Sequence, residues 1–395
     1  MDDRGTSAVI AHETDREGPV CWCGERGLRP FSPAYALCTT CGTLVARHGL
    51  TPEAAAVADD DRAFYGKDYW LSHQTNDLGN PDITRRARTD LSDRCMHWLR
   101  TLMGYKAPPA RVLEIGCAHG GFVALLRWAG YDATGLELSP WVVDYARETF
   151  GVPVLLGPVE AQPVAEGSLD AIVLNDVVEH LPDPRATLAA CARLLKPDGV
   201  LVVQMPSYPE GASFEQLRAG NSPFLHLMDG KEHLNLFSPR AARLLFERLG
   251  FSAIEFVRAH FDVHDMYVIA GRLPLVRTDP EALARTMMTP EQRVKLAWLD
   301  LLGEVELLQA DRAARLDVIQ RLDAECAARL DVIQRLEGAA RQARADAAAA
   351  RSECERLVGE LRTRAATGSL TRKLMGLPRR AARYLKRSMR PRSVG

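Results

Sequence analysis

No apolar run in this 395-residue chain approaches the roughly 20 residues that a helix needs to cross a bilayer. The opening stretch, MDDRGTSAVIAHETDRE, lacks the apolar segment of a secretory signal and is too acidic and polar to serve as one. The cysteines, scattered apart from one cluster, lack the pattern of a disulfide framework. These absences set the expectation of a cytoplasmic protein. The formal net charge of −1 names no partner, but charge of one sign is locally missing: from Leu361 onward there is no Asp or Glu against eleven Lys and Arg. Residues 291–362 contain no proline. The length itself leads us to expect two or three domains with a large buried core.

What is present is concentrated in residues 111–122, RVLEIGCAHGGF. A short apolar strand carries Glu114, then come Gly116-Cys117-Ala118-His119-Gly120-Gly121, then the helical FVALLRWAG. Glu137 closes the next apolar run, ATGLEL. This strand, glycine turn, helix, strand and acid layout suits an adenosine-containing cofactor. Gly116 permits a tight turn, and Glu137 at a strand end can accept both ribose hydroxyls. Dinucleotide binders offer helix N–H groups to a pyrophosphate. An acid two residues before the first glycine repels a diphosphate and instead suits a cofactor with a cationic amino-acid end.

The stretch resembles the first motif of class I S-adenosylmethionine-dependent methyltransferases, E/D-x-G-x-G-x-G. The resemblance continues through GLELSP at 135–140, LDAIVLNDVVEHLPDP at 169–184 and LLKPDGVLVVQMP at 194–206. It implies an α/β fold with a doubly wound, seven-stranded Rossmann-like sheet whose last strand is antiparallel, with ligands at the strands' C-terminal edge. It also implies that Glu114, Gly116, Cys117 and Gly120 surround the methionine portion of S-adenosylmethionine. Glu137 falls on the ribose, Leu138 and Val159 near adenine, and Asn175 near the methionine end. The alternation of elements over 110–273 gives strands near 111–115, 133–138, 153–156, 169–174, 199–205, 252–258 and 265–270. Helices are expected near 120–129, 140–150, 185–195 and 239–249, two of them opened by DPR and SPR starts.

Upstream, after a polar segment 1–17 expected to be disordered, residues 18–58 carry Cys21-Trp22-Cys23-Gly24 and Cys38-Thr39-Thr40-Cys41-Gly42. Each pair is followed by glycine, which lets backbone N–H groups turn toward thiolates. Four sulfurs suit a closed, structural Zn2+ site in a zinc-ribbon-like module. The first pair is C-x-C rather than C-x-x-C, and two unrelated pairs of reduced cysteines are the alternative. Residues 59–109 read as an aromatic extended stretch and a lead-in helix (Leu91, Cys95, Trp98, Leu99, Leu102). Tyr65, Tyr69 and Trp70 either line an acceptor pocket or anchor packing. The irregular stretch 206–238 is long enough to be functional, and its apolar residues favour an ordered acceptor-binding insertion.

After about residue 274 the chain reads as a helical arm to residue 362. ARLDVIQRL occurs at 314–322 and again at 328–336, a period of two heptads. Leu316, Ile319, Leu330 and Ile333 share a seam with Arg312, Asp323 and Glu337, charges that a tight coiled coil penalises. Self-association through 291–362, a solvated single helix and a docking helix all fit. The tail 363–395 mixes basic and apolar residues, so 370–392 can lie on an anionic membrane surface; a disordered, solvated basic tail is the alternative. Nucleic acid is not expected as a partner, because no interleaved base-stacking pattern accompanies the charge.

Methyl transfer to a hydroxyl needs a base. His180, just after the fourth strand, and His233, beside Glu232 in the insertion, are the candidates, either as base and orienter or as local structural caps. Residues 20–270 also resemble the sugar methyltransferases of bacterial glycan and antibiotic pathways, which pair a cysteine-rich module with the class I domain. In the C-methylating branch the insertion carries Tyr-x-Glu-His; here Glu232-His233 match but Gly230 stands for the tyrosine. LSHQTNDL replaces that branch's serine-rich stretch. Both departures favour O-methylation of a sugar or glycan hydroxyl over C-methylation of a keto-sugar. A coiled-coil scaffold with an inactive domain is the reading from another class. Asn175-Asp176-Val177-Val178 stands where amino-methylating enzymes carry N/D-P-P-[YF], which disfavours amino acceptors.

Overall fold

A computed structural model describes residues 19–77, 79–261 and 264–366. The N-terminal segment 1–17 and the basic stretch 370–392 lie outside the described residues. The chain divides into two units, one ending at Gly303 and the other starting at Glu304.

The first unit holds two sheets. Its strands are β1 (Arg29–Pro30), β2 (Tyr35–Leu37), β3 (Leu44–Ala46), β4 (Arg111–Ile115), β5 (Asp132–Glu137) and β6 (Val154–Leu156). They continue with β7 (Leu169–Asn175), β8 (Leu195–Pro206), β9 (Asn235–Leu236), β10 (Ala253–Val257) and β11 (Asp265–Gly271). The large sheet has the order β10-β11-β8-β7-β4-β5-β6. Its neighbours are parallel from β8 through to β6, and β11 runs antiparallel to both β8 and β10. This is the mixed Rossmann-like sheet that the class I resemblance implies, its parallel part matching the βα periodicity.

Strands that are buried on both faces read as nearly continuous apolar runs, as RVLEI, AIVL and VLVVQM do. Period-2 alternation sorts them. Leu113, Ile172, Leu174, Leu201 and Val203 pack on one face with Leu188 and Phe246 from helices Pro184–Leu194 and Pro239–Arg248. Val112, Val173 and Val202 pack on the other with Leu99, Phe122 and Val143 from helices Met96–Met103, Gly121–Ala129 and Pro140–Phe150. Ser139, Asp183 and Ser238 each accept a hydrogen bond from the helix they open, and a proline follows each.

Two features differ from the sequence reading. The lead-in helix starts at Ile83, capped by Asp82, and passes through a π-helical stretch Leu91–Cys95 before Met96. The cysteine-rich segment is not a separate body: β1-β2-β3 is completed by β9, a strand of the insertion, and Cys21, Cys38 and Cys41 share a core with Phe237 and Ala241. The insertion is ordered, with a helix Phe214–Ala219 held by a Ser213/Gln216 capping box and a 3-10 turn Pro223–Leu227.

The second unit continues the helix Pro290–Ala366. Its leucines and isoleucines stay in solvent; Leu316, Ile319, Leu330 and Ile333 are each more than half exposed. Acid-before-base pairs at i,i+4, such as Asp317–Arg321 and Asp331–Arg335, support the helix locally.

Candidate functional site

A cavity of about 750 Å³ opens at the C-terminal ends of β4 and β7. Glu114, Gly116, Cys117, Asn175, Glu179, His180, Glu232 and His233 all line it.

The glycine turn is forced by space and backbone. Gly116 has φ +71°, and a Cβ there would lie 2.6 Å from Val177 Cγ2. Ala118 occupies the left-handed region at φ +47°, which explains the glycine usual at that motif position. Gly120, at φ +78°, opens helix Gly121–Ala129; its missing side chain makes room for Ala146, 2.9 Å from where a Cβ would sit. Its contact is therefore helix packing rather than the cavity wall. Glu137 is buried at the end of β5, where its carboxylate accepts from Ala118 N at 3.1 Å and Leu138 N at 2.7 Å. Glu137, Leu138 and Val159 are not among the cavity-lining residues, and Val159 belongs to the core.

Several buried polar atoms here lack protein partners. Among the described residues, Glu114 Oε2, both amide atoms of Asn175 and Glu179 Oε2 find no hydrogen-bond partner. Burial, and the neighbouring Glu137, hold the Glu114 carboxyl well above the usual carboxylate range. Burial and the charge of Asp176 do the same for Glu179. Unpartnered groups of this kind are costly unless a ligand completes them. An ammonium group suits Glu114, and Asn175 offers both a donor and an acceptor. The donor set therefore fits the amino-acid end of S-adenosylmethionine.

Beside it lies a histidine pair with ring centroids 4.8 Å apart. His233 Nδ1 is 2.6 Å from the Leu227 carbonyl, and His180 Nδ1 is 3.1 Å from the Glu232 carbonyl and 3.2 Å from the Tyr65 hydroxyl. A carbonyl oxygen only accepts, so both rings carry their proton on Nδ1 and keep a lone pair on Nε2. Burial, reinforced by His233, pushes the His180 pKa down to about 3. Glu232 accepts from Tyr69 Oη at 3.3 Å and is paired with His73 Nε2, whose Nδ1 meets Asp77 at 2.6 Å.

Tyr69 and Trp70 line the cavity, while Tyr65 touches His180 from behind. Gly230 packs on Ala34, 3.0 Å from where its Cβ would be, leaving little room for the tyrosine of the C-methylating pattern. Tyr65 and Tyr69 bring the phenolic hydroxyls from the lead-in segment instead. Sequence reasoning missed His73 and also Asp60, whose carboxylate accepts from Ser139 Oγ and Trp141 N at 2.6 Å each. Neither sits in a local motif; only the tertiary fold brings them in.

The four cysteine sulfurs lie within 4.8 Å of one another, with Cys21–Cys41 at 3.4 Å and Cys23–Cys38 at 3.5 Å. Tetrahedral Zn–S bonds place sulfurs about 3.8 Å apart. Gly24 and Gly42, both at positive φ, donate to the Cys21 and Cys38 carbonyls at 2.8 Å, forming two similar knuckles. The cluster is consistent with a small metal-binding module. Among the described residues no helix is long and apolar enough to cross a membrane.

Residues 87–255 match the family model of a methyltransferase domain. The chain is 29% identical over 166 residues to a malonyl-[acyl-carrier protein] O-methyltransferase of Serratia marcescens, covering 41% of this chain and 59% of that one. It is 37% identical over 100 residues to a ubiquinone biosynthesis O-methyltransferase of Xanthomonas campestris, covering 24% and 42%. The chain thus spans about half the length of these curated relatives. A solved methyltransferase structure from Thermotoga maritima, described as a possible histamine N-methyltransferase, aligns at TM-score 0.36 and 21% identity, covering 48% of this chain and 96% of that one. The first unit carries an S-adenosylmethionine-dependent methyltransferase domain.

Proposed function

We propose that this protein is an O-methyltransferase acting on a sugar hydroxyl of a nucleotide sugar or surface glycan. The observation that carries this reading is the Nδ1-anchored histidine pair sharing one cavity with the unpartnered Glu114 and Asn175. S-adenosylmethionine, when bound, supplies an electrophilic methyl group. Glu114 holds the cofactor's ammonium group, Gly116 and Cys117 admit its backbone closely, and Asn175 fixes its carboxylate end. Glu137, oriented by two backbone N–H groups, keeps lone pairs for the ribose hydroxyls, with Leu138 and Val159 on the adenine side and Gly120 setting the turn. The acceptor hydroxyl loses its proton to Nε2 of His233. His180, held neutral by burial and with little affinity for a proton, orients the acceptor. Glu232, fixed by His73 and Tyr69, positions the loop that carries His233.

The O-methyltransferase names of the relatives, and the place of Gly230, support transfer to oxygen. The four cysteines are proposed to hold a structural Zn2+. The composition of 370–392 supports contact with an anionic membrane where surface glycans are assembled. The test is incubation with methyl-labelled S-adenosylmethionine and a panel of nucleotide sugars and isolated glycans, followed by mapping of the label. Label on oxygen, lost in His233→Ala with cofactor binding intact, is the expected outcome. Label on carbon, with exchange of an α-proton for solvent deuterium, assigns the keto-sugar reaction instead. Absence of cofactor binding sinks the enzyme reading and leaves a scaffold.

A further inference from the structure

The arm from Glu304 onward carries an apolar seam that nothing among the described residues of its own unit covers. Taking Leu316 as heptad position a, the a positions within 312–337 are Leu316, Asp323, Leu330 and Glu337. The d positions are Arg312, Ile319, Cys326 and Ile333. Leu308, Leu322 and Leu336 fall at g, and each is at least half exposed. An apolar stripe this long in solvent calls for a partner, and the seam charges state which partner.

A parallel, in-register pair of these helices sets Arg312 against Arg312, Asp323 against Asp323 and Glu337 against Glu337. Three like-charge layers then fall in the seam, and the g leucines face Ala313, Ala327 and Arg341 at e. An antiparallel pair, in which a layers meet d layers, behaves differently when centred between Ala324 and Glu325. Arg312 then faces Glu337 of the other copy twice, Leu316 faces Ile333, Ile319 faces Leu330, and Asp323 faces Cys326. On the flank, g meets g: Leu308 lies against Leu336 and Leu322 against Leu322. Sliding one heptad either way drives Asp323 against an isoleucine. Arg315 and Arg329 also meet across this flank, but Asp311 and Glu325 neutralise each within its own helix. The period-14 repeat thus pairs its first half with its second half across the copies.

We propose that the arm is a homodimerisation device, an antiparallel coiled coil of residues 304–345 with a second copy of this chain. The overlap of about 42 residues is roughly 60 Å long. The Arg312–Glu337 pairs select polarity and register by making the alternatives repulsive.

The experiment is light scattering and sedimentation of the full-length protein with a charge-swap series. The wild type is expected as a dimer. Arg312→Glu and Glu337→Arg, taken singly, are each expected to weaken the dimer at least tenfold, because each creates like-charge layers. The double variant Arg312→Glu/Glu337→Arg, which restores opposite charges only in this register, is expected to recover the dimer. A wild-type monomer, or a double variant as weak as the singles, overturns the proposal. Polarity is read separately in a Cys326→Ser variant that keeps Cys354, an exposed residue of the same helix. In the proposed register the two Cys354 residues lie roughly 90 Å apart, so mild oxidation yields no disulfide-linked dimer. A Cys354-linked dimer shows a parallel arm and overturns the proposal.

Discussion

Replacing Glu114 with Gln tests the cofactor site most directly, because the structure makes cofactor affinity and protein stability move in opposite directions. The carboxyl is buried at the cavity wall, Oε2 has no partner among the described residues, and burial together with Glu137 raises its pKa. A raised folded pKa contributes stability below the unfolded value and loses it as pH rises through the folded one. Glutamine never ionises and escapes that loss, so the melting temperature without cofactor rises in Glu114→Gln, increasingly so toward alkaline pH. Binding goes the other way. An ammonium group at Glu114 requires the ionised form, and a hydrogen bond to a charged group contributes about 1.5–3 kcal/mol, so affinity falls roughly 10- to 100-fold. In the wild type, binding draws a proton off Glu114, so affinity increases with pH until the group is ionised in the free protein. Titration calorimetry in two buffers of different ionisation enthalpy reads that proton, and scanning fluorimetry reads the stability. A Gln variant that binds S-adenosylmethionine as well as the wild type, or whose binding releases the same proton, refutes the assignment.

Two further outcomes follow from strained or buried groups near the cleft. Ala118 sits at φ +47°, a conformation costing a non-glycine residue about 1–2 kcal/mol. Ala118→Gly relieves this but gains backbone freedom in the unfolded chain, so a net stabilisation of about 0.5–1 kcal/mol is expected in urea titration; a lower midpoint contradicts the strain reading. Asp265 is pushed up to about 8, first by burial and then by Asp176, with Arg94 opposing. Its contribution to stability is full below its unfolded value near 3.8 and is lost as pH rises through about 8. Asp265→Asn therefore flattens the fall in denaturation midpoint between those pH values, and an unchanged profile would show that another group sets it.

The large sheet was legible because each strand is a short apolar run bounded by turn residues, and each βα step carries its own cap. Ser139, Asp183 and Ser238 announce their helices within four residues. The lead-in helix was misjudged at its start: Asp82 caps it, but the polar run ITRRARTD hides the apolar period. β9 could not be read at all, since two residues have no periodicity and its partner β3 lies about 190 positions earlier. The same holds for the His73–Glu232 and Asp60–Ser139 contacts, whose partners are distant in sequence. The motif also carried an ambiguity that only packing resolves. Gly120 serves the close approach of Ala146, whereas Gly116 lines the cavity.

The pairing of β9 with β3 ties the cysteine cluster to the chemistry. Cys38 follows β2 directly and Cys41 precedes β3 by three residues, so a bound metal clamps the turn of that hairpin. The hairpin in turn holds the insertion: Leu44 and Val45 pair with Leu236 and Asn235, Ala46 N donates to the Leu234 carbonyl at 2.9 Å, and the buried Tyr35 hydroxyl donates to the His233 carbonyl at 2.7 Å. Glu114 and Asn175, by contrast, stand on β4 and β7 of the other sheet. Removing the metal should therefore loosen His233 while sparing the cofactor cleft. After chelation, or in Cys41→Ser, methyl transfer is expected to fall at least tenfold while the S-adenosylmethionine dissociation constant stays within about twofold. Elemental analysis checks the premise of one zinc per chain. If chelation unfolds the whole unit, Tyr35→Phe isolates the same linkage by deleting only the hydroxyl. Its turnover should drop with cofactor affinity and fold unchanged, and full turnover in that variant would mean that the insertion holds His233 without help from the hairpin.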